Sequence, residues 1–193
     1  SHYVDNDEEM IAEALAKFND AYADYDASAL DVNADGYVDN LLIVPVVGRG
    51  GTFTSHEAVS YGQPSIGSVS PKKIGSYNVI EAYIDPTTGE VSTIFFEGTA
   101  AHEYLHTLDV RDYYRLGDGD ADLGVPVGVW DVMANSGAFS WPLALTRQTA
   151  GWCSIAEEAP EGTYTLYAPA DAGSEEGRAA GKRQAVKIKT PLS

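Results

Sequence analysis

The chain has 193 residues, of which 44% are hydrophobic and 10% aromatic, enough for one folded domain, or one domain with a small appendage, around a real core. Its formal net charge of −17 argues against nucleic acid and anionic membrane surfaces as partners, because basic patches do that binding. No apolar run approaches the ~18 residues of a membrane span, and the single cysteine, Cys153, allows neither an intrachain disulfide nor a cysteine zinc cluster.

In chain order, residues 7–25 place Met10, Ile11, Ala14, Leu15, Phe18 and Tyr22 on one stripe, which predicts a helix with acidic residues in its first turn. The run LLIVPVVG, 41–48, reads as a short buried strand. Residues 49–76 are rich in Gly, Ser and Pro and read mostly as loop. NVIEAYID, 78–85, predicts a strand followed by the turn PTTGE. A helix is expected to start near Thr99 as its cap and to carry HEYLH, 102–106. Gly- and Asp-rich loop follows over 116–128, then a short helix within WPLALTRQTAGW. Two strands are expected at 162–169 and 184–190, joined by a polar, mobile connection. Cys153 reads as a small buried hydrophobe.

Two stretches carry chemistry. In DVNADGYVDN, 31–40, Asp31, Asn33, Asp35 and Asp39 offer oxygens at the spacing of the first nine positions of a calcium loop, with Gly36 for the sharp turn. Position twelve is Leu42 rather than glutamate, so this is not an EF-hand; a bound calcium and a metal-free acidic turn both remain open. The second stretch is HEYLH. His102 and His106, two of only four histidines, lie one helical turn apart and can reach one point, a suitable place for zinc. Glu103, one position on, is the candidate general base for a metal-activated water.

Zinc needs a third protein ligand. No histidine follows His106, and no glutamate lies between Glu103 and Glu157, which leaves Asp109, Asp112, Asp118, Asp120, Asp122 and Asp131. Asp112 stands ten residues after His102, the spacing of the metzincin pattern H-E-x-x-H-x-x-G-x-x-H with aspartate in the last place. Uninterrupted helix would carry it ~15 Å along the axis and onto another face. A left-handed residue at 109 would end the helix and return Asp112 to the metal. Metzincins have glycine there; Asp109 is among the next most tolerant residue types, at a cost of ~1 kcal/mol. Downstream, GVWDVMANSG places Met133 where a Met-turn is expected.

The segment from DVNADGYVDNLLIV through GTAAHEYLHTLDVRDYY to VGVWDVMANSG resembles the M6 family of bacterial metallopeptidases, that of immune inhibitor A. The likeness covers roughly residues 10–153 and rests on those three motifs. It implies His102, His106 and Asp112 as zinc ligands, Glu103 as general base and Met133 as the Met-turn residue. Tyr114 would match the family tyrosine after the ligand aspartate and is a candidate transition-state donor, beside Tyr113 and His56. Several metzincins use a tyrosine two residues after the methionine, where this chain has Asn135.

The resulting expectation is an α+β fold, a metzincin-like catalytic domain with its active-site helix packed on a mixed sheet, incomplete against the family at both ends. Residues 1–158 would form the catalytic core and 159–193 a β-rich extension. The function expected is zinc-dependent endopeptidase, acting on protein or peptide substrates and secreted from a bacterium. The alternatives are a non-catalytic surface binding module that keeps its metal sites, and a zinc hydrolase of another amide.

Overall fold

In the computed structural model, residues 4–45, 53–55, 59–84, 87–92, 96–114, 126–138, 140–153, 155, 162–172 and 174–188 are described. They form an α+β structure, and the chain divides into two compact units, Ser1–Thr107 and Leu108–Ser193. The expected division at residue 158 falls outside the described residues.

The first unit opens with helix α1, Val4–Ala21. Its stripe is real but narrower than the sequence suggests. Ile11 and Leu15, one turn apart, are buried and Phe18 packs beside them, whereas Ala14 and Tyr22 are exposed. Each fully buried aliphatic side chain contributes roughly 1.5–3 kcal/mol. Asn19, on the next turn, locks the helix to the sheet: its amide donates to the Ser65 carbonyl (2.8 Å) and its carbonyl accepts from Gly67 N–H (2.9 Å). Gly67 is required there. Its φ is +86°, and an added Cβ would stand 2.7 Å from that of Ala27.

The strands are short: β1 Tyr37–Val38, β2 Leu41–Ile43, β3 Phe53–Ser55, β4 Ser65–Ile66, β5 Lys72–Ile74, β6 Tyr77–Val79, β7 Tyr83–Ile84 and β8 Val91–Ser92. β1 pairs with β5 and β2 with β6, both parallel, and every residue faces the one thirty-six positions later. The two small sheets therefore share one parallel ladder in unbroken register, interrupted once. β4 and β3 pair antiparallel with the far edges of β5 and β6, so the sheets are mixed, and β7 and β8 form an antiparallel hairpin. The core gathers Ile11, Leu15, Val38, Ile66, Ile74, Tyr77 and Val79 around this ladder.

Several segment expectations are corrected. Of the run 41–48 only 41–45 are described, and these are not a buried strand. Among the described residues β2 is an edge strand, paired only with β6, and Leu42 is exposed between half-buried Leu41 and Ile43. Instead β6, flanked on both sides, is buried at all three positions. The segment 49–76, read as loop, holds β3, β4 and β5, each too short to show a period. The strand expected over 78–85 is divided into β6 and β7 around buried Ile80 and Ala82.

In the second unit, helix α3, Ala144–Thr149, matches the expected short helix. The two strands expected at 162–169 and 184–190 are absent from the described residues. One backbone bond, Tyr167 N–H to the Arg183 carbonyl (2.8 Å), joins irregular chain, and the side chains at 165–168 are exposed. The connection read as mobile holds two packed short helices, α4 Pro169–Ala172 and α5 Glu175–Ala179. No described helix is long and apolar enough to cross a membrane.

Candidate metal centre

The helix bearing HEYLH, α2, runs from Phe96 to His106 and packs on β3. It begins three residues before Thr99, which is therefore inside the helix and not its cap; Glu97 supplies an acidic group in the first turn. Exposed Glu97, Ala101 and Tyr104 fall on one face at helical spacing. Gly98, His102, Glu103 and Leu105 are buried on the others, with His106 half-buried. Both histidines thus leave the helix away from solvent.

The helix ends at His106. Thr107 folds back onto the carbonyl of Tyr104 through its N–H (3.1 Å) and its hydroxyl (2.6 Å). Asp109 then takes the left-handed conformation with φ of 60°, exposed to solvent, and Val110 is buried directly after it. This is the break expected at 109, with a residue other than glycine making it. The chain consequently turns within a few residues, and Asp112 is carried back toward the helix end.

His102, His106 and Asp112 offer ligand atoms that all lie within 4.8 Å of one another. The two Nε2 atoms are 3.2 Å apart, with the rings nearly perpendicular at 88°. Two imidazoles on one tetrahedral zinc, at ~2.0–2.1 Å each, would have nitrogens ~3.3 Å apart. The observed spacing suits that arrangement, and equally a hydrogen bond between the rings in the absence of metal. The three residues come from eleven consecutive positions, so their convergence is set by one helix end and one turn. Glu103 follows His102 on α2 and is 7% exposed.

Met133 lies in a tight turn and is fully buried. Its carbonyl accepts the N–H of Tyr113 (2.9 Å), the residue next to Asp112. The turn is organised by Asp131, which sequence reasoning had considered only as a zinc ligand. Its buried carboxylate accepts from Met133 N–H (2.8 Å), Leu143 N–H (2.7 Å) and the Thr146 hydroxyl (2.5 Å). An aspartate beginning a tight turn was the one sequence signal available, and its partners lie as far as fifteen residues away. Tyr114 and Asn135 are exposed, Tyr113 and Cys153 half-buried; Cys153 is thus less buried than expected. His56, Asp118, Asp120 and Asp122 lie outside the described residues.

The acidic loop 31–39 is built differently. Asp31 accepts the N–H groups of Asp35 (3.0 Å) and Gly36 (2.9 Å). Asn33 accepts that of Asp35 (3.0 Å), Asp35 that of Tyr37 (2.8 Å), and Asp39 that of Val32 (2.8 Å). These are turn-closing side-chain bonds, and left-handed Ala34 and Gly36 supply the bend. The Lys72 ammonium rests 2.8 Å from Asp31 Oδ2, and with these N–H bonds it holds the Asp31 carboxyl below the usual carboxylate range, although burial pushes the other way. Among the described residues only His102, His106 and Asp112 form a three-residue group of His, Cys, Asp or Glu close enough to hold an ion.

No protein-family model matches the chain, and no curated protein or solved structure does.

Proposed function

We propose that the chain is a zinc-dependent endopeptidase with a metzincin-like site, as its resemblance to the immune inhibitor A family implies. The observation that carries the proposal is the convergence of His102, His106 and Asp112 beside a buried Glu103. Two neutral imidazoles and a carboxylate are a donor set suited to catalytic zinc, which keeps one coordination position open. When bound, such an ion polarises a carbonyl and acidifies a water.

The rest of the chemistry belongs to the chain. His102 and His106 are oriented by a helix whose opposite face is in water. Asp112 supplies the anionic ligand from the far side of a left-handed turn. The Glu103 carboxylate receives the proton of the attacking water and delivers it to the leaving amine. Tyr113 and Tyr114, one and two residues after Asp112, are candidates to donate to the developing oxyanion. The substrate is a protein or peptide, and the same resemblance makes secretion part of the proposal. Calcium at 31–39 would have to displace Lys72 from Asp31.

Glu103→Gln tests the reading, because it keeps the side chain's shape and removes the base. Zinc content should stay at the parent value while turnover of a general protein substrate falls by roughly 10²-fold or more. Cleavage at the parent rate would remove Glu103 from the mechanism.

A further inference from the structure

We infer that Asp131 is a positioning residue for the metal site, acting on Asp112 through the Met133 turn without touching the ion. The inference rests on the reading of Asp112 as a metal ligand. It starts from a carboxylate with no solvent exposure, whose two oxygens receive three donors. Oδ1 holds Met133 N–H inside the turn, and Oδ2 holds Leu143 N–H and the Thr146 hydroxyl at the start of α3. The Asp131 carbonyl also accepts the N–H groups of Ala134 (3.0 Å) and Asn135 (3.1 Å), closing the turn from its other side. One residue thereby fixes the turn internally and ties it to a helix.

A backbone bond ties the turn to the ligand segment, from Tyr113 N–H to the Met133 carbonyl. That N–H belongs to the planar peptide unit joining Asp112 to Tyr113, so holding it fixes the orientation of the Asp112 backbone and limits where its carboxylate can point. Ligands aimed by their surroundings bind metal more tightly than ligands free to rotate, since less freedom is lost on coordination. An acceptor-only group is needed at 131, because all three partners can donate. Asparagine would turn an N–H₂ toward at least one of them in a site closed to water.

The test measures zinc affinity by competition with a chromophoric chelator, at a temperature where circular dichroism shows every variant folded. Asp131→Asn should bind zinc roughly 10- to 100-fold more weakly than the parent. Ile11→Val, a core change remote in sequence, should lower the melting temperature and leave zinc affinity unchanged, which separates aiming from general destabilisation. Affinity for Asp131→Asn within about twofold of the parent, while Asp112→Ala loses zinc, overturns the inference and leaves the ligand assignment standing. If Asp112→Ala binds as the parent does, the ligand assignment itself has failed. Should Asp131→Asn not fold, Thr146→Val removes one of the three donors; zinc weakened at least about threefold supports the inference, and unchanged affinity overturns it.

Discussion

Asp109 shows how one backbone conformation decides which side chains converge. With φ of 60° it occupies a region that L-residues enter at a cost, and aspartate tolerates it better than most because its short side chain bonds locally. Had the helix continued, Asp109 would have followed His102 at seven residues on the same face and Asp112 would have been carried away. With the break in place, Asp112 joins the histidines and Asp109 faces solvent. The two aspartates therefore have opposite expected phenotypes. Asp112→Ala should strip zinc or weaken it severely. Asp109→Gly should retain it, with stability within about 1 kcal/mol of the parent on the stabilising side, because glycine adopts the turn without steric cost. Metal content of the purified variants, with their melting temperatures, checks both. Zinc lost from the 109 variant and kept by the 112 variant would exchange their roles.

At the scale of elements, the acidic loop 31–39 is held by its own side chains and by Lys72 on β5, so its cohesion depends on charge. The Asp31 carboxyl titrates below the ordinary range, with Lys72 as the largest cause. A carboxylate whose folded pKa is depressed contributes stability that is fully present above its unfolded pKa, ~3.9, and is lost as the pH falls through the lower folded value. Lys72→Met should therefore be less stable than the parent at neutral pH, and the difference should shrink as pH falls below ~4. Denaturant unfolding at several pH values checks this; a difference independent of pH would mean that Lys72 acts through packing alone. The elements also show what the sequence could and could not disclose. Helix α1 was legible because several turns of burial leave a period, and the HEYLH helix because its two histidines stand at i, i+4 spacing. Strands of two or three residues leave none, so β3, β4 and β5 were hidden in a Gly-, Ser- and Pro-rich stretch. The alternation at 162–169 misled in the other direction: it satisfies a strand pattern, yet its side chains are mostly exposed and no ladder forms to bury a face.

Over the whole molecule, each unit has its own organisation. Residues up to Thr107 build a core around parallel strand pairs and support the helix that displays His102, Glu103 and His106. Those after it hold the Met133 turn, bonded to Tyr113 and tied by Asp131 to α3. The convergence of His102, His106 and Asp112 was legible in the sequence because the three are local, tied by i, i+4 and i+10 spacing. Asp131 was not, because its contacts run to Leu143 and Thr146 and only folding brings those together. We propose that this arrangement makes a zinc peptidase and not a metal-bearing binding module. The most direct test is to strip the purified chain with chelator, titrate zinc back, and record cleavage of a general protein substrate at each step. A zinc peptidase should show no cleavage in the stripped chain and a rate that rises with zinc and saturates near one ion per chain. Cleavage that survives chelation, or none at full zinc occupancy, would contradict it.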